Sequence, residues 1–220
     1  MPLERFEEIV VGLLNKGFHL TSSEKATWSK KNVVITFDDG YANNLGAIEI
    51  LAKHNCSGTV FMCSDYIGSS AITRDTNLYP NRRFLSRYDL KRIVELGSEI
   101  GSHGAGHINY GTSSPRTRRQ DLRNSVKTLE GVLDKRIMAF AFPNGQRGAF
   151  QVEDFEMFAD CGIKMIFTTV WGRMNKKQAF KCRCEVRHTD DVKTVLAKVK
   201  GKYVHRFIFD RYTKRGMLWT

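Results

Sequence analysis

Short apolar runs alternate with amphipathic stretches along most of this chain, and that alternation limits the folds open to it more than any other feature. Val33-Val34-Ile35-Thr36-Phe37, Thr59-Val60-Phe61-Met62-Cys63, Ile137 to Phe142 and Met165-Ile166-Phe167-Thr168-Thr169 read as strands, and Phe180 to Val186 alternates like another. Helical stripes lie between them: Leu45, Ile48, Leu51 and Ala52; Leu90, Ile93, Val94 and Leu96; Leu122, Val126, Leu129 and Val132; then Phe150 to Cys161 and Val192 to Val199. A further stripe from Leu3 to Asn15 opens the chain and stops at Gly17, with Phe18 to Ser23 as a short connection. Asn43 or Asn44, and later Ser86, are placed to cap helices. Strand, helix, strand is the signature of parallel pairing, so the expected class is α/β with a largely parallel sheet, either open or closed into a barrel. No Gly-x-Gly-x-x-Gly or Walker loop follows a strand, which counts against the nucleotide-binding versions.

The polar residues gather just after the strands: Asp38 and Asp39, His103 and His107, Asn144, Thr168 and Thr169. In a β/α barrel that edge carries the chemistry. Asp38 and Asp39 end a buried strand and precede Gly40, where uncompensated carboxylates would be costly. His103 and His107 are spaced like a metal-binding pair, but Gly104 and Gly106 favour a tight loop over a regular helix. Each pair alone also reads as solvated loop residues. Together, one carboxylate and two imidazoles make a three-ligand site for zinc or another first-row divalent ion, cobalt, nickel or iron included. The second carboxylate is then free to act as general base on a water that the ion activates.

The size of the chain, 220 residues with 41% hydrophobic and 26% charged, suits one sizeable core. We read a single domain over 1–220: an N-terminal helix and connection to residue 32, a core over 33–200, and a basic segment over 201–220. A formal charge of +12 favours anionic partners, from an acidic or phosphorylated substrate to peripheral contact with an anionic membrane, or simply a solvated surface. No zinc-finger spacing or RNA-binding signature points to specific nucleic acid. Five cysteines, an odd number without a Cys-x-x-Cys pair, suggest a reducing compartment and free thiols. No signal core follows Met1 and no stretch is long enough to span a bilayer, so the expectation is a soluble cytoplasmic protein, with export the alternative where a leader has been removed.

Thr36-Phe37-Asp38-Asp39-Gly40 and Ser102-His103-x-x-x-His107 resemble the first two motifs of the polysaccharide deacetylases, the NodB-like carbohydrate esterases, and Phe140-Ala141-Phe142-Pro143-Asn144-Gly145 resembles the third. The resemblance extends from about Phe6 to Val199. It implies a distorted β/α barrel of about seven strands and metal-dependent removal of an N-acetyl group from an amino sugar. By position it makes Asp38 the general base, Asp39, His103 and His107 the metal ligands, and the Asn144 backbone N–H the oxyanion donor. Pro143, in the third motif, and Tyr41, directly after the first, fall among the substrate-lining positions. Trp171, on the same predicted edge, is the aromatic to stack on a sugar, whereas Trp28 and Trp219 read as packing. The substrate would be an N-acetylated glycan, with an anionic or lipid-phosphate-linked precursor fitting the charge. The same scaffold would also suit a non-catalytic carbohydrate-binding relative, or hydrolysis of a formyl or cyclic amide.

Two features depart from the family pattern. Many members orient the base with an Arg in the third motif, where this chain has Ala141; a branch with Phe-Ala-Tyr-Pro there has an Arg on a later strand, and Arg183 is the best-placed candidate. The late Leu-His motif that supplies a general acid has no clear counterpart in His188 or His205. Arg116, Arg118 and Arg119 open a helix against its dipole, as an anion contact or a solvated cluster.

Overall fold

A computed structural model describes residues 1–27, 31–70, 83–150, 155–172 and 180–202. Trp28, Trp219, His205, most of the basic C-terminal segment and the middle of the Ser64 to Arg83 loop lie outside the described residues. The elements follow one another as α1 (Leu3–Leu14), β1 (His19–Thr21), β2 (Asn32–Val34), β3 (Thr36–Phe37), α2 (Asn44–Lys53), β4 (Thr59–Met62), a 3-10 turn (Ser64–Tyr66), α3 (Arg87–Glu95), β5 (Glu99–Ser102), α4 (Pro115–Leu133), β6 (Ala139–Ala141), α5 (Phe155–Asp160), β7 (Met165–Phe167), β8 (Phe180–Lys181) and α6 (Val192–Val199).

Strands β3 to β8 form one six-stranded parallel sheet whose spatial order is the chain order. Met62 stands opposite Ser102, and Phe140 opposite both Ser102 and Ile166, so the strand ends that carry the polar residues are brought to one edge. The sheet buries both faces, which is why its strands read as continuous apolar runs. Alternation along the strands sorts the core. Phe61, Ala139, Ala141 and Phe167 form a small cluster on one face. Val60, Met62, Ile100, Phe140, Phe142 and Ile166 pack into the larger cluster on the other, together with Ile48, Leu90, Leu122 and Leu129 from the helices.

The helix limits have local causes. Ser86 and Asp89 form a reciprocal capping box on α3. Ser114 accepts from the Thr117 amide and Pro115 stands at the first position of α4, while Asp191 caps α6 through Thr194. At α2 the expected asparagine cap is not formed: Asn43 makes no side-chain cap bond. The amides of Asn44 and Leu45 instead donate to the carbonyls of Tyr41 and Ala42, so the preceding turn already satisfies them.

Three strand expectations are refined. The run from Val33 to Phe37 divides at Ile35, because β2 pairs with β1 in a separate two-stranded parallel sheet while β3 pairs with β4. The connection after Phe18 contains β1 itself, three residues that carry too little periodicity to be read as a strand. Strand β8 ends at Lys181 rather than Val186; from Cys182 onward the backbone leaves the ladder, and the Arg183 amide donates to the Val170 carbonyl.

Among the described residues β3 and β8 are the sheet's edges, and the sheet curls far enough for Arg183 just after β8 to bond Thr36 on β3. The architecture is therefore α/β with a parallel sheet curled into a partial barrel. The open side faces α1 and α6 across a cavity of about 1330 Å³ lined by Phe6, Leu13, Val34, Phe37, Val195 and Val199 among others. No described helix is long and apolar enough to cross a membrane. All five cysteines are free.

Candidate active site

The site begins where β3 ends. Asp39 and Gly40 both adopt left-handed backbone, with φ of 69° and 82°. Only glycine suits position 40 on two counts: the backbone angle, and the Met62 sulfur that occupies the space a Cβ would need. An aspartate held at positive φ is uncommon and is stable only when its surroundings determine it. The consequence is that two adjacent carboxylates meet different partners.

Asp39 meets the imidazoles. Its Oδ1 lies 3.3 Å from Nε2 of His103 and 3.3 Å from Nε2 of His107. One ligand atom from each residue falls within 4.8 Å of the other two. His103 is buried just beyond β5, and its Nδ1 is 2.8 Å from the Ala141 carbonyl on β6. That carbonyl can only accept, so Nδ1 carries the proton and Nε2 presents its lone pair to the site. This donor set, an acidic oxygen and two aimed imidazole nitrogens, fits a first-row divalent cation. Burial pushes the Asp39 carboxyl up, but the adjoining His103 and His107 imidazoles outweigh it and hold the group well below the ordinary range. Asp39 in turn raises His107.

Asp38 meets Arg183. The guanidinium is bidentate, with Nη1 to Oδ1 at 2.6 Å and Nη2 to Oδ2 at 2.8 Å. Its remaining donors are also placed: Nε donates to the Thr168 carbonyl at 3.0 Å, and Nη1 also reaches Thr36 Oγ1 at 3.2 Å. The guanidinium carbon sits 5.5 Å from the centre of the Phe61 ring. Burial raises the Asp38 carboxyl, the nearby Arg183 charge lowers it, and the net direction is down. One side chain thus ties β8 to β3 across the edge that no described strand closes.

The other sequence candidates are arranged as follows. Asn144, exposed beyond β6, has left-handed backbone with φ of 64°, and Gly145 follows at 48°. Their carbonyls accept from Thr169 Oγ1 at 2.9 Å and the Thr169 amide at 2.8 Å, so the loop is tied to the end of β7. Pro143 is buried rather than open to a ligand. Tyr41 bridges to Phe84 and stacks on its ring at 5.0 Å, as part of the wall beside β3. Trp171 lies with its ring centre 5.5 Å from Lys198 Nζ of α6. His188 is exposed in the loop before α6. Arg118 is buried and donates to the Tyr110 and Ser113 carbonyls, and Arg119 pairs with Asp160 at 2.7 Å. Arg118 is thus engaged with backbone carbonyls, and Arg119 sits in a half-exposed ion pair. The contributions of the Ala141 and Thr168 carbonyls carry no sequence signal, since any residue supplies a carbonyl.

A profile of the family described as polysaccharide deacetylase matches residues 25–166. The protein YxkH of Bacillus subtilis (strain 168), provisionally named a polysaccharide deacetylase, is 24% identical over 196 residues, which cover 85% of this chain and 65% of YxkH. A 30.6 kDa protein of Geobacillus stearothermophilus is 26% identical over 140 residues, 56% of this chain and 46% of its own. The chain thus spans between 46% and 65% of the length of these two relatives. In fold it is similar to the Streptococcus pyogenes deacetylase PplD solved with acetate, with a TM-score of 0.74 at 18% identity over 90% of this chain and 86% of that one. It is also similar to IcaB from Ammonifex degensii, with a TM-score of 0.71 at 18% identity over 91% and 90% of the two chains.

Proposed function

Because this chain belongs to the polysaccharide deacetylase family, we propose that it is a metal-dependent hydrolase that removes N-acetyl groups from an amino sugar in a polysaccharide, oligosaccharide or glycan precursor. The observation that carries the proposal is the division of labour at one strand end: Asp39 grouped with His103 and His107, and Asp38 beside them in a bidentate pair with Arg183.

Asp39, His103 and His107 would hold a divalent ion, zinc before cobalt, nickel or iron, which supplies Lewis acidity for the attacking water and the acetamide carbonyl. Asp38 is the general base. Its pairing with Arg183 keeps it ionised, and each oxygen retains a lone pair with which to take a proton from the attacking water. Arg183 fixes the direction of that carboxylate, the role an arginine of the third motif would otherwise have. The Asn144 backbone N–H, on the tied loop after β6, is the donor for the carbonyl oxygen as it gains charge. The proton that Asp38 gains is then available for return to the departing amine. The net charge of +12 supports an anionic or lipid-phosphate-linked glycan as substrate.

Acetate release from a panel of neutral, anionic and lipid-phosphate-linked N-acetylated glycans tests the reading, with the wild type and Asp38→Asn each metal-loaded. The expected result is release by the wild type and a loss of about 100-fold or more in the variant, with the same metal content. A wild type that cleaves formylated or cyclic amides but not acetamides would move the reaction to another carbon–nitrogen bond. A metal-bound wild type inactive on every substrate would make it a carbohydrate-binding relative.

A further inference from the structure

The loop that carries His107 is held from two sides. Gly104 and His107 have left-handed backbone, with φ of 77° and 54°; glycine adopts it freely, whereas a histidine keeps it only where neighbours impose it. From the turn after β4, the Ser64 and Asp65 amides donate to the Gly104 and Ala105 carbonyls at 3.2 and 3.1 Å. From α4 come Arg118, Asp121 and Ser125, three buried polar side chains spaced to share one face. Ser125 Oγ lies 2.8 Å from Ser102 Oγ, which accepts from the Gly104 amide at 3.2 Å. Arg118 donates to the Tyr110 carbonyl at 3.0 Å. Asp121 accepts from the Gly106 amide on Oδ1 at 3.0 Å and from the Tyr110 hydroxyl on Oδ2 at 2.8 Å. Its carboxylate occupies the space that a Cβ on residue 104 would need.

We propose that Asp121 is a positioning residue of the candidate metal centre, whose two oxygens join the Gly106 amide to the Tyr110 hydroxyl and so set the backbone path that presents His107. His107 lies between those two bonds in sequence, one residue after Gly106 and three before Tyr110. The carboxylate accepts at both oxygens, so one side chain serves both donors. Serving the ligand loop is a different task from stabilising α4, since both bonds leave the helix.

The proposal rests on the metal reading above, and two readouts keep their failures apart. The first is amide exchange of the segment 103–110 in metal-free protein. Asp121→Ala should speed exchange there at least about tenfold while the sheet strands stay protected, and Asp121→Asn, which can still accept from Gly106, should remain within about threefold of wild type. The second is affinity for zinc and for cobalt by chelator competition, with the cobalt absorption bands recorded. Asp121→Ala should weaken affinity about 10- to 100-fold and alter the bands, and Asp121→Asn should recover most of both. Unchanged exchange in Asp121→Ala overturns the anchor, and faster exchange with wild-type affinity and bands overturns its link to the centre. A wild type that binds no metal removes the metal reading, and the proposal of a metal-positioning residue falls with it, whatever the exchange shows. Should Asp121→Ala fail to fold, Tyr110→Phe removes one of the two anchor bonds: faster exchange and weaker metal binding are then expected, and wild-type values of either overturn the proposal.

Discussion

Glu99 opens β5 at one edge of the sheet, and its Oε2 accepts from Ser23 Oγ at 2.5 Å, Thr59 Oγ1 at 2.8 Å and the Glu24 amide at 3.2 Å. Asp38 and Asp39 follow β3 at the opposite edge, where a guanidinium and two imidazoles face them. Glu99 is buried and the two aspartates are partly buried, yet their acidities move in opposite directions. Burial raises Glu99 and three uncharged donors do not offset it. Burial also raises the two aspartates, but the charge of Arg183 and the adjoining imidazoles outweigh it. Hydroxyls suffice to tie the stretch after β1 to the sheet. Keeping a carboxylate ionised and aimed, as a ligand or a base must be, takes cationic or imidazole partners. Left-handed backbone at Asp39, His107 and Asn144 lies at the same edge as the aspartates.

The largest expected effect breaks the Asp39 side of this contrast. Asp39→Ala should weaken metal binding by more than about 100-fold, beyond what loss of a supporting residue does, and should bring acetate release to background. Metal retained at wild-type affinity after extensive dialysis would show that Asp39 is not a ligand.

The next effect separates the two aspartates. Arg183→Ala should lower turnover about 10- to 100-fold, as expected when a reacting group is misplaced by about an ångström, and leave metal content at the wild-type level. Arg183→Lys should not restore it, since a single ammonium cannot reproduce the fork that also reaches Thr36 and Thr168. Turnover equal to wild type in the alanine variant would remove Arg183 from the mechanism.

The smallest effect is at the opposite edge. The folded Glu99 has a pKa above its ordinary 4.5, so the folded state binds the proton more readily than the unfolded one. Its contribution to stability is therefore greatest below about pH 4.5 and declines as pH rises through the folded value. Glu99→Gln stays neutral throughout. The unfolding midpoint of the variant minus that of wild type should be more positive at pH 7 than at pH 4, with acetate release unaltered. A difference that is flat with pH, or opposite in sign, would show that the hydroxyl donors compensate the buried charge after all.

Much of this arrangement was legible in the chain itself. The alternation of apolar runs and helical stripes required a parallel sheet, because a strand–helix–strand unit returns in the same direction. Asp38, Asp39, His103 and His107 were legible as a set because their motifs end strands, where side chains converge on one edge. The capping box at Ser86 and Asp89 was half legible, since its serine stands before an apolar stripe. What the sequence could not decide is which residues distant along the chain become neighbours. Residues 38 and 183 are joined only because the sheet curls until β8 approaches β3. Asp121 carries no signal of its own beside Leu122 in the α4 stripe, and its bonds to Gly106 and Tyr110 exist only because α4 packs against the His103–His107 loop. The proton on His103 is placed by the carbonyl of residue 141, a backbone group whose presence no side-chain pattern records. Periodicity determined the fold class, and residue chemistry singled out Asp38, Asp39, His103 and His107 as candidate site residues. Curvature of the sheet and the docking of one helix decided how those residues are aimed, because both depend on contacts between segments far apart in the chain.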